Sequence, residues 1–259
     1  IGKRESYDAA HRAAACCVLN GGRLMPYFVE GMWMKNIHQN ELVAMLYGPN
    51  EVTTKMKAGK VNIHQETNYP FEDNVVFNIH PEKSRSFNLV FRKPYGTESM
   101  TVNPPEGSQL EEFTDKFVIS NSWNAGDKVT VDFNFKIKYI PQPESNTVAD
   151  SGIYLKRGAL VYALPFKHVI KTVKEYNNSG FYRYRVRVLD KENWGIMYRD
   201  ESRFVYESLA NERITIPWDK PQVQLKGTMI DKKENPIEVK LIPMGNTIFR
   251  RVTFPEYKP

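Results

Sequence analysis

Cysteine is almost missing from this chain: two residues in 259, standing side by side as Cys16 and Cys17. A disulfide scaffold is thereby excluded, and the two are poorly placed even to pair with each other. Neighbouring Cα atoms lie ~3.8 Å apart, below the ~4.4 to 6.8 Å that a disulfide spans. Also missing is any apolar run approaching ~18 residues, so no membrane-crossing helix is readable and no membrane partner is expected. Charge of one sign is scarce: 36 basic residues face 30 acidic ones, a net +6 spread along the chain. No block of like charge marks a polyanion-binding tail. Internal repeats, low-complexity tracts, an initiator methionine and a signal peptide are absent as well. The opening Ile1-Gly2-Lys3 therefore reads as a start inside a longer gene product, and the compartment stays open between periplasmic or secreted and cytoplasmic.

What is there suits a soluble globular protein, with 41% hydrophobic and 25% charged residues. The length allows one large domain or two of ordinary size, ~100 to 150 residues each. Residues 5–35 favour helix, with Ala9, Ala10, Ala13, Ala14 and Ala15 before the cysteines and Leu24, Phe28 and Met32 three to four apart after them. Two helices around a break at Asn20-Gly21-Gly22 are expected, with Pro26 tolerated in the first turn of the second.

From residue 40 onward the pattern is short β-branched and aromatic runs separated by turn residues: 41–47, 51–56, 61–65, 74–79, 86–92, 116–120 and 128–138. Val129, Val131, Phe133 and Phe135 alternate with Thr130, Asp132 and Asn134, as a strand with one buried face does. The polar, proline-bearing stretch 141–146 is the linker candidate. Beyond it, 153–164 reads as one buried strand, followed by 182–189, 204–207, 223–228, 237–242 and 247–254. The fold class expected is mainly β: a helical segment at 1–40, an antiparallel β-sandwich domain at 41–148 and a second at 149–259.

Chemistry concentrates at the cysteine pair. Thiolates are soft zinc ligands, whereas free cysteine is commonly a buried small hydrophobe, and spacing alone leaves both readings open. His11 could face such a site or a helix surface; His38, His64, His80 and His168 stand isolated and read as structural or exposed. Glu66 and Glu72 flank the Tyr69-Pro70 turn without the spacing of an acid/base pair. Trp33, Trp123, Trp194 and Trp218 could stack on sugar rings, but read first as core. In Tyr182-Arg183-Tyr184-Arg185-Val186-Arg187 aromatic and basic residues alternate, which fits a strand with two unlike faces; no nucleic-acid partner is expected.

Motifs in order along the chain carry a resemblance. Cys16-Cys17-Val18-Leu19-Asn20-Gly21-Gly22-Arg23-Leu24 resembles the Cys-Cys-x-x-Asn-x-x-Arg-Leu signature of glycoside hydrolase family 127, the β-L-arabinofuranosidases. There follow Gln65-Glu66-Thr67-Asn68-Tyr69-Pro70-Phe71, Phe91-Arg92-Lys93-Pro94-Tyr95, Trp123-Asn124-Ala125-Gly126-Asp127-Lys128-Val129, the run 157–165, Leu241-Ile242-Pro243-Met244-Gly245-Asn246-Thr247 and residues 250–255. The resemblance implies an (α/α)6 barrel upstream, of which this chain keeps the end, followed by two β-sandwiches. It implies Cys16 as the nucleophile, Cys16 and Cys17 as zinc ligands in the full-length protein, and an L-arabinofuranosyl-type oligosaccharide or glycoconjugate as substrate. Retention of configuration would follow from two displacements. Val18-Leu19 replaces the family's Pro-Pro. The family's other zinc ligands, from a Glu-x-Cys motif, and its acid/base glutamate lie upstream of the cysteines, and Glu5 matches neither. The fragment alone is therefore expected to be inactive and without zinc, its missing partner being the N-terminal barrel portion; a homodimer is left open, and a non-catalytic carbohydrate-binding or structural module is the alternative.

Overall fold

The computed structural model describes residues 6–7, 15–57, 59–142, 152–175, 180, 182–190, 193, 195–199, 202–209 and 219–257; the side chains of 6–7 and 15–19 lie outside that description. Two compact units emerge, one of Arg23–Lys136 and one of Ile137–Pro259 with Ile1–Gly22.

The elements begin with β1 (Ser6–Tyr7) and α1 (Ala15–Glu30). The first unit then contributes β2 (Trp33–Asn36), β3 (Glu41–Ala44), β4 (Asn50–Met56), β5 (Gly59–Glu66), β6 (Asn74–Pro81), β7 (Arg85–Arg92), β8 (Ser99–Asn103), β9 (Gln109–Glu112), β10 (Lys116–Trp123) and β11 (Asp127–Asn134). One sheet has the order β2-β3-β7-β10-β9 and the other β4-β5-β6-β11-β8. Every pairing is antiparallel except β3 with β7, which run parallel from Glu41↔Asn88 to Ala44↔Phe91. Alternation decides which face is buried: Val61, Ile63 and Gln65 of β5, Val75, Phe77 and Ile79 of β6, and Val129, Val131 and Phe133 of β11 point inward. They meet Leu42, Phe87, Leu89, Phe91, Ile119 and Trp123 of the other sheet in one core. Edge-on ring contacts bridge the layers, Phe77 lying 4.9 Å from Phe91 and 6.0 Å from Trp33. Such aromatic pairs add about 0.5 to 1.5 kcal/mol beyond area burial.

The second unit holds β12 (Ile137–Gln142), β13 (Gly152–Arg157), β14 (Leu160–Pro165), β15 (His168–Glu175), β16 (Tyr182–Val188), β17 (Phe204–Ser208), β18 (Val223–Ile230), β19 (Pro236–Pro243) and β20 (Arg250–Arg251). Its main sheet runs β12-β13-β14-β19-β18-β17, with β20 also paired to β14. β14 pairs first with β19, at Tyr162↔Pro243 and Ala163↔Ile242, then with β20, at Leu164↔Arg251 and Pro165↔Arg250. Leu155, Tyr162, Leu225, Met229, Leu241 and Phe254 are buried here. Two glycines are required by close approach: a Cβ on Gly152 would sit 2.3 Å from the Phe254 carbonyl oxygen, and one on Gly227 2.3 Å from that of Arg203. The β18–β19 turn is held by Asp231, whose Oδ1 accepts from the Asn235 amide at 2.9 Å and the Lys233 amide at 2.7 Å. Those donors, Asn235 first, hold its carboxyl below the ordinary range. A separate three-stranded sheet has the order β1-β16-β15.

The mainly β architecture, with one α-helix among the described residues, matches the expectation; the helix expected around Ala9, Ala10, Ala13 and Ala14 lies outside those residues, and several local readings are corrected. α1 is a single helix running through Asn20-Gly21-Gly22, with Pro26 inside it. Glycine costs a helix about 1 kcal/mol relative to alanine but forbids nothing, so a pair of them need not break it. The linker candidate begins inside β12: Pro141 and Gln142 pair with Ile153 and Gly152, and 143–146 lie outside the described residues. The run 153–164 is a hairpin, turned at Gly158 with φ 56°. Lys156-Arg157-Gly158 is the only interruption of the apolar run, and Gly158 supplies the positive φ that the turn needs. The stretch 128–138 is divided between β11 and β12, and β1, β2, β8, β9 and β15 have no counterpart in the sequence reading, β1 and β2 falling where helix was expected.

Candidate functional site

The cysteine pair lies in α1, whose backbone is described from Ala15 onward. Downstream, α1 turns large apolar side chains to solvent: Leu24, Met25, Tyr27 and Val29 are each at least 60% exposed, and Met34 and Ile37 just beyond are 54% and 63% exposed. Single exposed apolar residues are ordinary, but a run of this kind marks a contact surface. Sequence reading missed it because the same spacing served equally well for a buried helix face.

Among the described residues no three His, Cys, Asp or Glu side chains come together where a metal could sit. Thiolate is a donor type that zinc takes, in shells of four ligands. No described helix is long and apolar enough to cross a membrane. His11, Trp194 and Trp218 lie outside the described residues.

The other sequence candidates are placed as structural groups. Trp123 is fully buried and its indole N–H donates to the Phe87 carbonyl at 2.9 Å; Trp33 donates to Asn50 Oδ1 at 2.7 Å. His64 faces Glu66 at 3.2 Å on the surface, and His168 Nδ1 lies 2.8 Å from the Phe166 carbonyl. The His38 carbonyl accepts from Lys57 Nζ at 2.9 Å, and His80 is exposed. Glu72 takes a long bond from Asn68 Nδ2 at 3.3 Å, so Glu66 and Glu72 form no pair with each other.

The motifs likewise hold turns and packing. Thr67 Oγ1 donates to the Asn74 carbonyl at 2.6 Å and accepts from the Tyr69 amide at 2.9 Å, shaping the turn with its cis Tyr69-Pro70 bond. Tyr69 packs on Tyr47 and Phe133. The Tyr47 hydroxyl donates to the Arg92 carbonyl at 2.7 Å, and Arg92 Nε donates to the Met45 carbonyl at 2.7 Å. Burial raises the pKa of both phenols, with the Arg92 charge opposing. In the Trp-Asn-Ala-Gly-Asp turn, Asp127 Oδ2 accepts from the Asn124 amide at 2.8 Å while Gly126 takes φ 93°. Gln65 is the exception: fully buried, with neither amide atom partnered. In the second unit a cavity of about 520 Å³ is lined by Phe166, Lys167, Asp190, Asn193, Glu238 and Lys240 among others. Asp190 there accepts from Asn193 Nδ2 at 2.8 Å.

Comparison with known proteins bears out the resemblance. Residues 41–135 match the family model described as β-L-arabinofuranosidase, GH127 middle domain. Among solved structures, the chain is similar to a GH127 β-L-arabinofuranosidase from Geobacillus stearothermophilus T6, with TM-score 0.68 and 19% identity over 94% of this chain and 38% of that one. A protein described as a glycoside hydrolase gives TM-score 0.65 at 21% identity, covering 95% of this chain and 40% of that one. A further GH127 β-arabinofuranosidase gives 0.61 at 18%, covering 94% and 39%. At these identities the likeness is one of fold, and this chain spans about two fifths of those proteins' length. No curated protein matches it.

Proposed function

We propose that this chain is the C-terminal part of a retaining glycoside hydrolase resembling the β-L-arabinofuranosidases, in which Cys16 is the nucleophile and Cys16 and Cys17 bind zinc. The reading is carried by one conjunction: a stretch matching a GH127 middle domain stands behind a Cys-Cys pair carried on α1. The apolar surface of α1 supports it, since Leu24, Met25, Tyr27 and Val29 would be covered in a protein with the upstream barrel.

In the complete protein the Cys16 thiolate attacks the anomeric carbon of a furanoside, forming a C–S bond as the glycosidic C–O bond breaks. An acid group from the upstream portion protonates the departing oxygen. Water then displaces the sulfur from the opposite face, and two inversions give net retention. Zinc, when bound, supplies a Lewis acid that keeps the coordinating sulfur deprotonated near neutral pH. Two thiolates make half a shell, so the isolated chain is inactive and zinc-free by this reading.

A non-catalytic carbohydrate-binding or structural module is the second reading. It is favoured by the placement of the other motifs, whose described side chains hold turns and pack the sandwich. The two separate on Cys16→Ser in the complete protein. The hydrolase reading expects turnover of an arabinofuranoside to fall by about 10³-fold or more with the fold intact; unchanged turnover would end it.

A further inference from the structure

The β15–β16 hairpin carries a concentration of charge that the proposed chemistry does not use. Directly paired residues share a sheet face. Lys171 stands opposite Arg185, Lys174 opposite Arg183 and Val169 opposite Arg187, so one face gathers five cations. A bulge between Thr172 and Lys174 creates the second like-charged pair. Without it Val173 would oppose Arg183, and Lys174 would stand on the other face beside Tyr182. Like charges directly opposite destabilise a hairpin, and bulges of this kind re-aim a side chain. All five cations are exposed, and none has an ion-pair partner among the described residues. The opposite face holds Ile170, Tyr182, Tyr184 and Val186, with both tyrosines half-buried.

We infer that this basic face binds a carboxylated polysaccharide, a polyuronate chain lying along the hairpin and held by Lys171, Lys174, Arg183, Arg185 and Arg187. The choice of a glycan rests on the hydrolase reading; the choice of an anion rests on the face itself. Arginine's planar fork matches a carboxylate bidentately. Cations two residues apart along a strand recur every ~6.6 Å, on strands ~4.8 Å apart, a ladder suited to a polymer with one carboxylate per ring. A nucleic acid fits less well. Single strands want aromatic rings beside the cations to stack their bases, and here Tyr182 and Tyr184 lie on the other side of the sheet. Base-edge readout wants amide or hydroxyl side chains among the cations, and no described side chain of β15 or β16 on this face supplies one.

Affinity electrophoresis of the full 259-residue chain through polygalacturonate, neutral arabinan, and single- and double-stranded DNA tests this. Retention is expected on polygalacturonate alone, fading by ~0.5 M salt as screening shortens. Arg183→Gln/Arg185→Gln/Arg187→Gln is expected to weaken it at least tenfold, while the corresponding Arg→Lys triple keeps most of it. The control Lys55→Gln/Lys60→Gln/Lys128→Gln, an equal loss of charge in the first unit, is expected to leave it unchanged. Should the β16 triple melt early, Lys171→Gln/Lys174→Gln carries the same expectation. The inference is overturned by no retention at low salt, by equal loss in the control, or by tighter retention on DNA. Absence of furanosidase turnover in the complete protein would remove the hydrolase reading and leave the measured binding standing; binding lost with turnover kept would do the reverse.

Discussion

In the first unit two five-stranded sheets face each other and bury their inward residues in a single core, whereas in the second unit the β15–β16 hairpin leaves both faces at least partly open to solvent. β5, β6 and β11 show buried and open positions in strict alternation, while seven of the eight residues of β15 are exposed. A sandwich is stable because each sheet hides the other's apolar face. The β1-β16-β15 sheet, with neither face covered to that degree, owes more of its order to ladder bonds. The contrast separates residues kept for the fold from residues free to meet something else.

The largest effect that would sharpen this contrast is expected from Phe77→Ala. Its ring is fully buried against Trp33, Tyr47 and Phe91, and its loss should cost about 3 to 5 kcal/mol, measurable by urea denaturation. Val169→Ala on the hairpin should change stability by under about 0.5 kcal/mol; a comparable loss there would break the comparison. Next in size, Gly152→Ala and Gly227→Ala should each cost about 1 to 3 kcal/mol through backbone displacement, lowering the melting temperature.

A third effect is a pH dependence to which the first unit's core contributes. Tyr47 and Tyr69 have folded pKa values above the ordinary ~10 of tyrosine, through burial. Such groups stabilise fully below the unfolded value and lose that contribution as pH rises through the folded one. Denaturation midpoints should therefore fall above about pH 10, and Tyr69→Phe should flatten that fall; an unchanged slope would count against it. The smallest effect is a gain: Gly21→Ala and Gly22→Ala meet open space and should each stabilise α1 by about 0.5 to 1 kcal/mol, seen as higher helicity by circular dichroism.

Much of the first unit was legible because its strands alternate. Val129, Val131 and Phe133 declare their face by period two, and 51–56, 74–79 and 86–92 fall within strands. β8 and β9 were missed because Ser99-Met100-Thr101 and Gln109-Leu110-Glu111 carry too few apolar residues to stand out from loop. The parallel β3–β7 pairing leaves no local trace, since register between distant strands is set by tertiary packing. In the second unit 153–164 is interrupted only at Lys156-Arg157-Gly158, too short a break to stand out from a single strand. At the proposed site, the Cys-Cys motif names the chemistry, but sequence spacing could not say that Asn20-Gly21-Gly22 stays helical or that Leu24 and Tyr27 face outward. Nor could alternation alone reveal that a bulge after Thr172 lines Lys174 up with Arg183.

The shared edge of β14 has a consequence for synthesis. A strand at 160–165 must wait for 236–243 and then for 250–251 before its hydrogen bonds close, and Phe254, fully buried and bonded to Ile153 through both backbone groups, completes the layer beneath. Contacts so distant in sequence form slowly. On the ribosome the sandwich of 23–136 can mature while the later sheet is still open, and a polypeptide stopped before Phe254 would leave Gly152 without the carbonyl that lies closest to it.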